Sequence, residues 1–467
     1  MENKELLNDL SRLSDGERIE MKNNSMKRNL LILSIIGIIL MCPVSFLMAQ
    51  DKTANYGKAT NEILPYENFK KPYKNHFLIP IEFYGAGREK VAPKDLKEVR
   101  IGFLGPLTTS VMVPQGLQML QGATMAMEEA NKKGGYKGLP FKIMAHNDAG
   151  LWGAAANEVV KMDDEKVWAF LGSIDDVVSH VALRAALKLE IYMVCTGDPD
   201  PTFTETNIPW QCRVISDDRQ SGYALVNYIH KKMGYKRVAM IRVNGRYGRV
   251  GVKEYADAAQ RLGYPFVIEE RFNDGETDFK SQVERVKKTN PDAILLWGNA
   301  KESGLILKQI RASGLKQPVF GSDRMVSPEF LKIAGPLAEG IVTTCQYNPN
   351  STDAKYQAFK ANYIKRFKQQ PDVFAVHAYD GMSILIDAIK KVGLNRVLIR
   401  DVMAGLKVFQ NYPGVSGKIV FDHSWNDVGD IYMATVRNGK FEFTVAPPME
   451  VGSKKYNGPK APGSYTN

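Results

Sequence analysis

Cysteine, histidine and the usual catalytic signatures are all sparse in this chain. Its 467 residues hold four cysteines, at positions 42, 195, 212 and 345, with no CxxC spacing. That excludes a disulfide-built scaffold and a zinc ribbon. The six histidines (76, 146, 180, 230, 377 and 423) show no close metal-ligand pairing, so neither a metal nor a cofactor is expected. There is no GxSxG, no P-loop, no HExxH and no GxGxxG after a strand, and no nucleophile–base pair is evident. The glycine-bearing run RVNGRYGRVG (242–251) follows a strand but lacks the dinucleotide spacing. An enzyme is therefore not expected. Internal repeats and long low-complexity tracts are also missing. The net charge of +11 comes from scattered Lys and Arg that alternate with acids, as over Lys280 to Lys288. Such a pattern is a solvated surface, not a nucleic-acid stripe.

One long apolar run is present. Leu30 to Ala49 carries no charge and follows Lys27-Arg28. Twenty residues are enough to span a bilayer as a helix. Read from Met26, the same stretch has the basic start, apolar core and small terminal residue of a signal peptide. The charged leader Met1 to Ser25 leaves two readings, a cleaved signal or an uncleaved anchor. Pro43 and Ser45 suit the end of a cleaved signal. Met41 stands where a lipid-modified Cys42 would need a small residue, which argues against a lipid anchor. An exported protein meets an oxidising compartment, which permits a bridge. Cys195 and Cys212 are the closer pair in sequence, and whether they join is left open.

Residues 51–97 are rich in Lys, Asn, Pro and Tyr and read as an extension that packs on the first domain. From Glu98 onward, strand and helix patterns alternate. The unit Val99 to Ile143 shows the logic: an apolar strand, a polar loop after Gly105-Pro106, an amphipathic helix stopped by Gly134-Gly135, then a second strand. Strands are expected at 99–104, 140–146, 167–171, 191–195, 211–215, 237–243, 265–270, 292–297, 318–320 and 340–344. Short ones follow at 417–421, 430–437 and 440–444. The alternation predicts an α/β fold with parallel sheets, and about ten strands are too many for one comfortable sheet. The expected arrangement is a leader (1–50), the extension (51–97), lobe 1 (98–217 and 347–415), lobe 2 (218–346 and 416–446) and a tail (447–467). The first two crossings between lobes fall at 216–221 and 345–350.

Over Glu98 to Phe443 the chain resembles the leucine/isoleucine/valine-binding protein family, the type I periplasmic binding proteins of amino-acid ABC transporters. The landmarks are IGFLGPL with GLQMLQGATMAMEEANKKGG, then WAFLGS, PDPTFTET, RYGRVG, DFKSQVERVKKTNPDAILLWG, QIRASGL, VFGSD, AEGIVTT and AYDGMSILIDAI. Their order and spacing carry the likeness, since no single motif is specific. The resemblance implies two Rossmann-like lobes joined by a three-strand hinge, closing on a small-molecule ligand and delivering it to a membrane permease. It implies a monomer without nucleic-acid partners, touching the membrane only through an uncleaved N-terminal segment. A membrane-anchored receptor on the same fold is the alternative.

Residue by residue, Tyr247 matches an aromatic that covers the ligand, Asp323 an acid for the ligand ammonium and Phe374 an apolar wall. Trp297 lies in a further contact region. In lobe 1 the family places hydroxyl groups and backbone N–H groups around a ligand carboxylate. Here Ser173 is followed by Asp175-Asp176, and Gly197 by Asp198-Pro199. Asp176 stands where the family has a serine and Pro199 where it has a threonine. A proline has no N–H and an ionised carboxylate only accepts, so a ligand carboxylate would meet repulsion. Either an Asp caps the helix 177–187, or the acids shape a pocket for a ligand without a carboxylate. Trp152 stands on the lobe 1 rim, to stack on a ligand or to pack on a helix. Arg219 and Arg324 could restore anion binding if turned inward; as loop arginines they are expected to be solvated.

Overall fold

The structure, a computed structural model, describes residues 86–446 except 207, 406–408, 410 and 423, together with 450–451 and 454–455. The leader with Cys42, most of the 51–97 extension and nearly all of the 447–467 tail lie outside the described residues.

Apolar strands buried on both faces build the first sheet. β1 (Val99–Gly105), β2 (Phe141–Asn147), β3 (Ala169–Leu171), β4 (Tyr192–Cys195) and β5 (Gln211–Arg213) are all parallel, in the order β2-β1-β3-β4-β5. Side chains alternate across a strand. Ile101, Phe103, Val194 and Cys212 therefore enter one core, while Leu104, Phe170, Met193 and Cys195 enter the other. The helices between these strands are α1 (Val113–Lys132), α2 (Trp152–Asp164), α3 (Asp176–Leu189) and the short α4 (Pro201–Glu205).

After β5 the chain crosses into the second lobe. There it forms α5 (Asp218–Val226), β6 (Val238–Val243), α6 (Arg246–Arg261), β7 (Ile268–Phe272), α7 (Lys280–Lys288) and β8 (Ala293–Trp297). Next come α8 (Ala300–Ala312), β9 (Val319–Gly321), α9 (Pro328–Ala334) and β10 (Val342–Cys345). β7 begins three residues later than the sequence predicts, because Pro265 has no N–H for the ladder and the first link to β6 is Val267 N–H to the Val238 carbonyl, 3.0 Å. The chain then returns as α10 (Ala354–Phe367), α11 (Val373–Val392) and α12 (Arg396–Gly405), which pack on the first sheet. α11 lies against α1 at very close range. A Cβ on Gly122 would stand 2.0 Å from the Ala375 carbonyl oxygen, so only glycine permits this approach.

The last crossing leads through β11 (Tyr412–Pro413) and β12 (Lys418–Ile419) to β13 (Tyr432–Arg437) and β14 (Lys440–Val445). These last two join the second sheet antiparallel, giving β14-β13-β10-β9-β8-β6-β7. The stretch 416–446, expected wholly in lobe 2, divides in its packing. Ile419, Phe421 and Trp425 belong to the first core. The reason is the open edge of β5: Arg213 N–H donates to the Trp425 carbonyl and Asp427 N–H to the Arg213 carbonyl.

The Arg213 side chain ties the crossings together. It is fully buried, with Nε donating to Asn426 Oδ1 (2.7 Å), Nη2 to Asp217 Oδ2 (3.0 Å) and Nη1 to the carbonyls of Asp198 and Asp200. All of its polar atoms are thereby matched to acceptors from three segments. At the other end of lobe 1, the described part of the extension packs as expected. Asn395 Nδ2 donates to the Gly87 carbonyl at 2.8 Å, and Arg88 pairs with Asp401 at 2.8 Å.

Cys195, Cys212 and Cys345 are free and buried. Val194, not Cys195, stands opposite Cys212 in the β4–β5 register. The one-residue offset sends the two thiols to opposite faces of the sheet, which settles the pairing left open by the sequence.

Candidate functional site

The loops at the carboxyl ends of both sheets meet between the lobes, where open α/β sheets place their ligands. In lobe 1, Asn147 Oδ1 accepts from the backbone of Leu107 (2.8 Å) and Thr108 (3.1 Å) and so fixes the loop after β1. Asp148 accepts from Gly150 N–H at 2.8 Å and from Ser173 Oγ at 2.5 Å. Ser173 is fully buried, so its hydroxyl is spent on Asp148. Burial holds the Asp148 carboxyl above its ordinary range, opposed by the Ser173 and Gly150 hydrogen bonds.

Asp175 caps α3, with Oδ1 accepting from Val177 N–H and Val178 N–H at 2.9 Å each. The capping expected of one of the two acids thus falls to Asp175. Asp176 behaves differently. It is 3 % exposed, and among the described residues neither carboxylate oxygen has a hydrogen-bond partner. Burial, then the Asp198 charge, push its carboxyl well above the carboxylate range, while Arg324 pulls the other way. Gly197 serves the backbone. A Cβ there would lie 3.0 Å from the Ser173 carbonyl oxygen and from Ile174 Cγ1, so glycine lets the two loops pack together. Beside it, burial and Asp200 push the Asp198 carboxyl up to about 6.

In lobe 2, Tyr247 sits in the first turn of α6 and donates to Asp323 Oδ1 at 2.6 Å. Gln346 Nε2 donates to Asp323 Oδ2 at 2.8 Å. Both oxygens of the expected ammonium acceptor are therefore engaged within the protein. Burial, reinforced by the Asp323 charge, raises the Tyr247 hydroxyl well above its ordinary value. The arginines depart from expectation. The Arg324 guanidinium carbon lies 3.5 Å from the centre of the Tyr247 ring, and Nη1 donates to Asn299 Oδ1 at 3.2 Å. Arg219 is likewise turned inward, donating to Glu254 at 2.9 Å and to Glu205. Arg219 finds two carboxylates and Arg324 an aromatic face, contacts that outweigh hydration because guanidinium is weakly hydrated.

Two adjoining cavities occupy the cleft. One of about 320 Å³ is walled by residues of both lobes, among them Met112, Asp274, Asp323, Arg324 and Phe374. The other, about 230 Å³, is walled by Asp176, Tyr247, Arg324 and Asn299, with Met112 and Gly245. Met112, Asp274, Asn299 and Arg324 are common to both.

Four of the eight expected residues, Asp176, Tyr247, Asp323 and Phe374, thus reach cavity walls. Ser173 and Gly197 pack behind the wall. Trp297 is enclosed in the lobe 2 core, where a Cβ on Gly251 would stand 2.3 Å from its ring. Trp152 opens α2 with 65 % of its surface exposed and touches neither cavity. Arg324, Asn299 and Asp274 are wall residues that the sequence reading did not select. Adjacency to Asp323 in GSDR was the available signal for Arg324.

A family model described as periplasmic binding protein matches residues 98–440. The chain is 27% identical over 329 residues to Leu/Ile/Val-binding protein homolog 2 of Brucella abortus, covering 70% of this chain and 86% of that one. It is similar to the branched-chain amino acid transporter substrate binding protein LivJ of Streptococcus pneumoniae, solved with isoleucine. That likeness has 26% identity and TM-score 0.68, covering 75% of this chain and all of that one. An ABC transporter solute binding protein of R. palustris, solved with benzoate, shares the fold at 20% identity and TM-score 0.68, over 76% of this chain and 98% of that one. With the match running through both sheets and all three crossings, the chain belongs to the periplasmic binding protein family.

Proposed function

We propose that this chain is the extracytoplasmic solute-binding protein of an ABC importer, capturing a small molecule between two lobes that close about the hinge. The observation that carries this reading is the cavity of about 320 Å³ walled from both lobes, with Asp323 and Arg324 on one side and Phe374 on the other. A cavity of that size suits a ligand of amino-acid dimensions. Closure follows when a ligand touches both walls, because only the closed state offers both sets of contacts. The protein is a binder and not an enzyme, it acts as a monomer, and its partner is a membrane permease. The apolar run 30–49 decides between a released and an anchored form, which mass spectrometry of the mature N-terminus separates: a start near Asp51 gives the released form.

The test is a thermal-shift screen of the purified protein across amino acids, amines, alcohols and small acids. At least one class should raise Tm in a concentration-dependent way. Asp323→Ala should then weaken binding of an amine-bearing ligand at least tenfold. A screen in which no small molecule shifts Tm would overturn the reading.

A further inference from the structure

Two carboxylates beside the smaller cavity lack the donors that buried carboxylates require, and a third lies close enough to act on them. Asp176 lines that cavity and Asp218 is fully buried; among the described residues neither oxygen of either group has a hydrogen-bond partner. Asp323 is the third, already engaged by Tyr247 and Gln346. Burial first, then the charges of Asp323 and Asp176, push the Asp218 carboxyl well above its ordinary range. Asp218 heads α5 and Asp176 heads α3, so they come from different lobes.

Arg324 is the cation that faces all three. Tyr247, Asp176, Asp323 and Asp218 together favour its charge against the cost of burial. Yet among the described residues its guanidinium makes no ion pair within 4 Å and one hydrogen bond, to Asn299. It lies flat on the Tyr247 ring, at the junction of the two cavities. Asp176 and Asp218 thus receive a positive charge at a distance and, among the described residues, no N–H donors. A buried carboxylate left without donors is unfavourable, and a cation bearing several N–H groups supplies both missing elements at once.

We infer that the cleft takes a small organic cation, a primary amine or guanidinium compound without net negative charge, that donates to Asp176 and takes over from Arg324 the place on the Tyr247 ring. Arg324 is then a built-in counterpart of the ligand's cation, favoured by the same acids. This deepens the solute-binding reading above and rests on it. The same geometry disfavours a ligand carboxylate at α3, where Asp175 already occupies the free N–H groups of the first turn.

The experiment is a thermal-shift and calorimetric comparison on the purified full chain. Agmatine and cadaverine serve as cationic probes, leucine as a zwitterion and benzoate as an anion. A cationic probe should raise Tm by about 3 °C or more at saturation, with leucine and benzoate giving no shift. Asp176→Asn keeps the shape and removes the charge, and should weaken the cation at least tenfold while leaving ligand-free Tm unchanged or higher. Arg324→Gln should tighten the cation severalfold by removing its competitor. Unchanged cation affinity in Asp176→Asn, or weaker affinity in Arg324→Gln, overturns the assignment. Stabilisation by leucine or benzoate alone overturns the cation and leaves a solute-binding protein standing. Silence across the probes and the broad screen overturns both.

Discussion

Arg246 Nε donates to Asp200 Oδ2 at 2.6 Å, a charge-assisted bond that spans the cleft from the start of α6 to the cap of α4. Arg246 Nη2 adds a bond to Thr202 Oγ1 at 2.8 Å, on the same side. Both join lobe 1 to lobe 2, so an opening that parts α4 from α6 would break them. Arg246→Ala should shift the population towards the open form. The loss of a charged hydrogen bond of about 1.5 kcal/mol corresponds to a ligand Kd on the order of tenfold weaker. Small-angle scattering of the ligand-free variant should show a larger radius of gyration than the wild type. An unchanged radius together with an unchanged Kd would remove this bond from the closing mechanism.

Arg213 joins three segments at the crossings, and its removal strands Asp217 and Asn426 in the interior. Breaking one side of a buried pair costs about 3–5 kcal/mol. Arg213→Met keeps most of the volume and should lower stability by that order in urea unfolding. A loss below about 1 kcal/mol would show that water or neighbouring donors replace it.

Asp372 caps α11, accepting from Ala375 N–H at 2.9 Å, and burial pushes its carboxyl up to about 7 from 3.8. The folded protein therefore holds this proton more tightly than the unfolded chain. Its contribution to stability is complete below about pH 4 and is lost as pH rises through 7. His230 and His377, lowered to about 4 by burial, act in the opposite sense, adding stability as pH rises from about 4 to 6.5. Comparison with a variant isolates the acid. Asn caps as well as Asp without titrating, so the stability of Asp372→Asn relative to the wild type should rise between pH 5 and pH 8. The gain should be on the order of 1–3 kcal/mol. Parallel Tm curves from pH 5 to 8 would contradict the raised carboxyl.

Gly122 sets the spacing of α1 and α11, and through it the position of Phe374 on the cavity wall. A methyl group at 2.0 Å from a backbone oxygen must push a helix, because the carbonyl has no rotamer to change. Gly122→Ala should destabilise by about 1–3 kcal/mol despite the better helix propensity of alanine. Ligand affinity should fall with it. A more stable variant would mean that the helices slide apart without strain.

Much of this was legible in the chain because it is local. The β-branched and aromatic runs that form β1, β4 and β8 are bounded by Gly, Pro and Asp, and their alternation with amphipathic helices implies two parallel sheets. Asp175 as a cap was readable for the same reason, since the donors lie two and three residues away. What escaped depends on segments that meet only in space. The Ser173 hydroxyl turns to Asp148, 25 residues earlier, and Arg324 turns to Tyr247, which lies on another helix. Trp297 looked like a loop residue at a strand end, yet Gly251 on α6 opens the slot that buries it. Asp176 was singled out by its departure from a serine, and its lack of hydrogen-bond partners among the described residues needed the folded loops to be seen.

The three thiols, sealed on different sides of their sheets, have a practical consequence. Cys195 and Cys212 are neighbours on adjacent strands but face separate cores, and burial raises both thiols well above their ordinary range. Among the described residues no disulfide forms, so their folding consumes no oxidant. A thiol reagent reaches each sulfur only when its own layer loosens. Their separate modification rates are a native clock that tells which layer of the first lobe lets go first.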